Sequence, residues 1–261
     1  MKFMIYLFLA ISLAVILPAA IPTAAGEDAN YWLSQTQSDY RNGSYSLALQ
    51  DIDEYLDLKP GDTWAWSFKA NVLIKLKRYS EAVDSFDQLI SLDASNAQAY
   101  NDRALVLSGG MRQNDEAIAS IEKALQINPN DANYWYNKGL ILENAKEYDD
   151  ALSSYGQAIK LDSSLENAWL RQGLVLQAQG KYNESISTLD QALSLNSQDA
   201  AAWNAKGMAL MEQNSRALAE SCFKKATDID PANREYQMNL KNSQEEMSPQ
   251  PDRMVKFNST E

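Results

Sequence analysis

The chain has 261 residues and a formal charge of −12, with 35 Asp and Glu against 23 Lys and Arg, one cysteine and no histidine. A surface this acidic repels phosphate backbones and disfavours nucleic acid as a partner. The missing histidine removes the commonest general base and metal ligand, and the lone Cys222 has no partner for a disulfide within the chain.

Met1-Lys2 precedes an unbroken apolar run from Phe3 to Leu17, then Pro18 and the small-residue stretch Pro22-Thr23-Ala24-Ala25-Gly26. This order of cationic start, apolar core and small residues predicts a signal peptide over residues 1–25, cleaved after Ala25, so that the rest is exported to the cell envelope or beyond. The alternative is an uncleaved anchor, because Phe3 to Ile21 is 19 residues, long enough to span a bilayer. Only in that case is a membrane a partner.

From Trp32 onward an aromatic recurs at a fixed interval: Trp32, Trp66, Tyr100, Trp135, Trp169 and Trp203, in steps of 34, 34, 35, 34 and 34 residues. Such a period marks one supersecondary unit copied in tandem, each copy burying its apolar face on its neighbours. With the aromatic at position 4, position 8 reads Thr36, Ala70, Ala104, Gly139, Gly173, Gly207, and position 20 reads Ala48, Ala82, Ala117, Ala151, Ser185, Ala219. Position 24 is always large: Ile52, Phe86, Ile121, Tyr155, Leu189, Phe223. Residues three and four apart share a helix face, so each copy reads as two antiparallel helices brought close by small residues.

The segment Trp135–Gly139–Tyr148–Ala151–Tyr155–Ala158 and the closing Pro60, Pro129 and Pro231 resemble the tetratricopeptide repeat. The resemblance covers residues 29–62, 63–96, 97–131, 132–165, 166–199 and 200–233. It implies an all-α, right-handed superhelical solenoid of antiparallel helix pairs. Asp62, Asn96, Asp131, Asp199 and Asn233 at position 34 are expected to cap the following helices. Repeat three has one extra residue near Gly109-Gly110, which predicts a looser turn between its helices. Residues 234–247 read as a polar capping helix and 248–261, with two prolines and little periodicity, as a disordered tail.

Catalysis finds little support, and neither a cofactor nor a metal is expected. Gly109-Gly110 lacks the Lys-Ser/Thr of a phosphate loop, and Asp149-Asp150, Glu245-Glu246 and Asp51-Asp53-Glu54 read as solvated helix surfaces. Cys222 reads as a small residue tolerated beside Phe223. Sequons at Asn42, Asn183 and Asn258 are acceptors only where exported proteins are glycosylated.

In the family resembled, the first helix of each repeat lines a concave groove through positions 2, 5, 6, 9, 12 and 13. Carried onto this chain, those positions imply a run of amides: Asn30, Asn71, Asn101, Asn133, Asn137, Asn144, Asn167 and Asn204. Trp64, Phe68 and Tyr136 stand between them with Leu140, Leu170 and Met208, and Arg41, Lys75 and Arg171 balance Asp102, Glu143 and Glu212. Amides both donate to and accept from peptide backbone, so the expected partner is a protein or an extended peptide. A carboxylate clamp of the kind some family members carry is not implied. Only Asn137 and Arg171 match it, while Asn101, Leu105 and Asn167 stand where Lys, Asn and Lys are required. The competing reading is a structural component of a cell-envelope assembly that uses its edges or convex face.

Overall fold

The computed structural model describes residues 28–245; the expected signal segment, the tail and Asn258 lie outside them. Among the described residues, six helical hairpins follow one another and a thirteenth helix closes the stack. They are α1 (Ala29–Arg41) with α2 (Tyr45–Leu58), α3 (Thr63–Lys75) with α4 (Tyr79–Leu92), and α5 (Ala97–Val106) with α6 (Asn114–Ile127). Then come α7 (Ala132–Ala145) with α8 (Tyr148–Leu161), α9 (Glu166–Ala178) with α10 (Tyr182–Leu195), α11 (Ala200–Glu212) with α12 (Arg216–Ile229), and α13 (Arg234–Glu245). Each helix packs on its hairpin partner and on the adjoining repeat, and α5 with α7, α9 with α11 and α11 with α13 also meet side by side. The odd helices therefore form the inner layer of a right-handed superhelix and the even ones its outside.

Packing inside each hairpin follows from size. Positions 20 and 24 are sealed in every repeat, from Ala48 and Ile52 to Ala219 and Phe223. The large residue at 24 lies against position 8 of the same repeat. A Cβ placed on Gly139 would stand 2.5 Å from the Tyr155 ring, and one on Gly207 2.6 Å from Phe223. Where position 8 has a Cβ, the residue at 24 is Ile52 beside Thr36, Phe86 beside Ala70 and Ile121 beside Ala104.

The odd helices are capped as their sequence implies. Asp62, Asp131 and Asp199 each accept two backbone N–H groups, Asn96 accepts one, and Asn233 accepts from Glu235 and Tyr236. Leu165 has no such side chain, and Asp162 caps Ser164 instead. No side-chain bond caps the even helices, which are entered through a tight turn in which the same repeat position is left-handed each time: Gly43, Lys77, Arg112, Lys146, Gly180 and Asn214.

The extra residue of repeat three is not absorbed in a loosened turn. It is wound into the end of α5 as one π turn, Leu107–Met111, after which Arg112 makes the same left-handed turn as its counterparts. A single insertion fits a helix this way because the hydrogen bond steps out by one residue. Gly110 lets the bulged backbone lie on the Tyr79 ring, 2.7 Å from where a Cβ would be.

Two further bonds recur between repeats. The indole N–H of Trp66, Trp135, Trp169 and Trp203 donates to the carbonyl six residues earlier, in the preceding inter-repeat loop, and Gln237 of α13 donates likewise to Pro231. Three residues beyond the aromatic a cation crosses to an acid of the previous repeat: Lys69 to Asp53 at 2.7 Å, Arg103 to Asp87 at 2.7 Å, Lys138 to Glu122 at 2.8 Å, and Lys206 to Asp190. Between repeats four and five both partners are replaced together, by Gly156 and Gln172.

Candidate functional surface

The odd helices present a continuous inner surface that changes character along the solenoid. At the N-terminal end it is aromatic. Trp64, 45% exposed, lies 5.0 Å from Phe68, which in turn meets Tyr40 at 5.0 Å, and Tyr40 meets Tyr45 at 5.4 Å. The exposed Asn71 and Lys75 follow one and two turns further along α3.

The middle is polar and largely satisfied from within. Asn101 is only 3% exposed; its Oδ1 accepts from Asn137 Nδ2 of the next repeat at 2.8 Å, and its own amide donates to Asp102 at 3.0 Å. Asn204 is 4% exposed and accepts from Asn239 of α13 at 2.9 Å. Asn101, Asn137 and Asn204 therefore do not stand free in the groove, as their repeat positions suggested. Positions 5 and 6 of adjacent repeats lie within reach of each other, and the amides form rungs across the joint. Burial pushes the Asp102 carboxyl above the usual range, against donation from Asn101 and Gln98.

Arg171 is also engaged: its Nη1 is 3.4 Å from Glu143 Oε1, while Glu143 Oε2 accepts from the Tyr155 hydroxyl at 2.6 Å. Burial, then donation to Glu143, pushes the Tyr155 phenol far up, so it stays a donor. Tyr136 leans on Tyr155, with ring centroids 5.9 Å apart. Asn133 and Asn167, in the first turns of α7 and α9, are exposed.

At the C-terminal end the surface opens into a pocket of about 320 Å³ between α9, α11 and α13, lined among others by Gln177, Tyr182, Met208, Met211, Glu212, Asn239 and Asn242. Only Met208 and Glu212 of these stood among the sequence-derived groove residues. Gln177 and Met211 also stand at groove position 12 but were not singled out from the sequence, whereas Asn239 and Asn242 enter only because α13 supplies the last wall. The inner charges also separate along the axis, with Arg41 and Lys75 toward the aromatic end and Glu212 and Glu235 toward the methionine end.

Of the sequons, Asn42 is exposed at the end of α1 beside the left-handed Gly43. Asn183 lies in the first turn of α10, where its Oδ1 accepts from Gln213 at 2.6 Å, and its sequon partner Ser185 is fully buried, donating to Gly173 at 2.8 Å. Both acceptor asparagines are thus exposed, but the serine of the second sequon is buried.

Among the described residues no helix is long and apolar enough to cross a membrane, and no cluster of three or more His, Cys, Asp or Glu is arranged to hold a metal ion.

Comparison with known proteins agrees with this architecture. A tetratricopeptide-repeat co-chaperone with a J domain from Cryptococcus neoformans is 30% identical over 118 residues, 44% of this chain and 21% of that protein. The chain spans about a fifth of the length of the curated relatives it matches. Among solved structures, PilW, a type IV pilus biogenesis factor, superposes with a TM-score of 0.70 at 19% identity, covering 83% of this chain and 100% of that one. YrrB, described as having an unusual peptide-binding site, does so with a TM-score of 0.58 at 22% identity, covering 74% and 97%. Tetratricopeptide repeat models match residues 33–97, 97–131, 132–165 and 170–234. With the repeat visible alike in period, packing and family match, this chain belongs to the tetratricopeptide repeat family.

Proposed function

We propose that the protein is an exported, non-enzymatic binding module that holds an extended peptide or partner helix along its inner surface. The tetratricopeptide fold is an interaction scaffold, and the partner is a protein. The observation that carries the finer reading is the polarity of the inner surface. Exposed Trp64 with Lys75 at one end and a methionine-lined pocket with Glu212 at the other suit one peptide orientation, acidic over repeats one and two and basic over repeat six. Export rests on residues 1–26 of the sequence.

The test is selection of peptides on the full mature chain, followed by titration of variants. Trp64→Ala and Lys75→Glu should each weaken the selected peptides about five-fold or more, since a rim-to-core contact of this kind is worth roughly 1–3 kcal/mol. Lys75 is exposed, so thermal unfolding of Lys75→Glu should hardly move, while Trp64→Ala also loses its stacking on Phe68 and is read on affinity of the folded chain. Lys160→Ala on α8 should change neither quantity. Equal affinity for wild type and both variants removes binding from the inner surface.

The second reading, assembly through an edge, has its own observation. Leu58, Leu92, Ile127, Leu161 and Leu195 occupy one repeat position near the ends of the even helices and are 41–50% exposed, a row of aliphatics along one edge. Retained partner capture by Trp64→Ala together with loss in Leu92→Ser/Leu161→Ser would place that edge ahead.

A further inference from the structure

The pocket at the C-terminal end lies where the chain itself continues. Asn239 and Asn242 of α13 form one wall, and α13 ends at Glu245, less than one turn beyond Asn242. In every preceding repeat the chain turns at this point and returns as an even helix. The segment that follows here does not fit that role. In register it would put Arg253 at the position held by Ala48, Ala82, Ala117, Ala151, Ser185 and Ala219, all of which are fully buried. An arginine sealed there without a partner is excluded by its desolvation.

The same segment complements the pocket. Arg253-Met254-Val255-Lys256-Phe257 alternates cations with apolar side chains, while the pocket combines Met208, Met211 and Tyr182 with the carboxylate of Glu212. From Glu245 to Arg253 the chain can span about 28 Å at ~3.5 Å per residue, far more than the step back to a pocket whose rim begins at Asn242.

We propose that residues 253–257 dock in this pocket as a resident ligand of the inner surface, with Phe257 against the methionines and Lys256 beside Glu212. The segment competes with any external peptide for repeat six and must be displaced before such a peptide lies along the whole surface. This deepens the proposed function and rests on it only for the consequence; the docking itself is a property of the chain alone.

The test uses the full mature chain with methyl-labelled methionine. Lys256→Glu/Phe257→Ser should shift the Met208 and Met211 methyl resonances and speed amide exchange in residues 205–212 and 239–242 about five-fold or more, as local protection is lost. Met211→Glu should give the same exchange change from the pocket side, and a synthetic peptide of residues 249–261 should reverse the effect of the tail variant. Peptides selected on the inner surface should bind the tail variant about five-fold more tightly, since a competitor has been removed. Unchanged methionine shifts and exchange in both variants overturn the docking, whatever external peptides do. Protection that rises with protein concentration also overturns it, because the occupant would then be a second copy. Loss of exchange protection without tighter external binding overturns the competitive role and leaves the docking.

Discussion

Two glycines of repeat four provide a sharp test of the packing, because the same substitution should act with opposite sign at each. Replacing glycine by alanine inside a helix is favourable by roughly 0.5–1 kcal/mol when the methyl has room. At Gly156 it has room: the nearest heavy atom to a new Cβ is Gln172 Nε2 at 3.8 Å, an ordinary contact. Gly156→Ala should therefore raise stability by about 0.5–1 kcal/mol. At Gly139 the new Cβ would fall 2.5 Å from Tyr155 Cε1 and 2.6 Å from Cδ1. The ring cannot simply swing away, because Tyr155 is fully buried and its hydroxyl is tied to Glu143 at 2.6 Å. Overpacking of this kind costs about 1–3 kcal/mol, which outweighs the gain in propensity and leaves Gly139→Ala net destabilising by about 1–2 kcal/mol. Ala104 with Ile121 is a combination that repeat three already packs, so Gly139→Ala/Tyr155→Ile should recover part of the loss, although Ala70 with Phe86 in repeat two packs an alanine against an aromatic ring that no hydroxyl ties. Urea denaturation followed by far-ultraviolet circular dichroism measures all four chains. Stabilisation by Gly139→Ala equal to that of Gly156→Ala would refute the pairing of positions 8 and 24.

Two other outcomes follow from backbone and charge. Lys146 holds a φ of 65° in the turn before α8, a conformation that costs an L-residue about 1 kcal/mol, so Lys146→Gly should raise the denaturation midpoint while Gly180→Lys lowers it. Burial first, then the facing Asp39, pushes the Asp51 carboxyl up to about 6, and its Oδ2 is sealed without a donor. A carboxyl raised on folding stabilises most while protonated, so stability should fall as pH rises from about 4 to about 6, by about 1 kcal/mol after solvent screening. Asp51→Asn should remove that slope and raise stability at pH 7; a wild-type slope that persists in the variant would refute the Asp39–Asp51 contact.

The solenoid was legible because its determinants repeat. Six aromatics at one interval, small residues at position 20 and acidic or amide caps at position 34 each state the same hairpin, and the structure uses them so. The inner surface was legible only as a set of positions. Asn101 and Asn137 lie 36 residues apart and bond across a joint, a pairing that no single repeat contains. The methionine pocket has the same origin, since Met211 becomes a wall only when α13 packs opposite it. The cation ladder was the missed signal that could have been read: Lys69, Arg103, Lys138 and Lys206 share one repeat position, and Asp53, Asp87, Glu122 and Asp190 another.

That ladder also separates the positions that recur along this chain from those that vary. Bonds that hold the stack recur with the repeat: indole to loop carbonyl, cation to acid, capping side chain to helix N-terminus. A recurring bond carries no information about where along the solenoid a partner lies. The inner positions behave otherwise. Position 12 is Tyr40, Glu143, Gln177 and Met211 in different repeats, and position 6 is Phe68, Asp102, Asn137, Arg171 and Ala205. Where these two positions meet across a joint, they make an aromatic pair at Tyr40–Phe68, an ion pair at Glu143–Arg171 and a long amide-to-carbonyl contact of 3.4 Å at Gln177–Ala205. These three joints are thus built from different chemistry where positions 12 and 6 meet, while the amide rung between positions 5 and 6 recurs at two joints. Between repeats four and five the two roles trade places: the recurring ion pair is absent, replaced by Gly156 and Gln172, and the inner Arg171–Glu143 pair spans the joint instead. At that joint the inner side chains therefore take over the task of holding two repeats together.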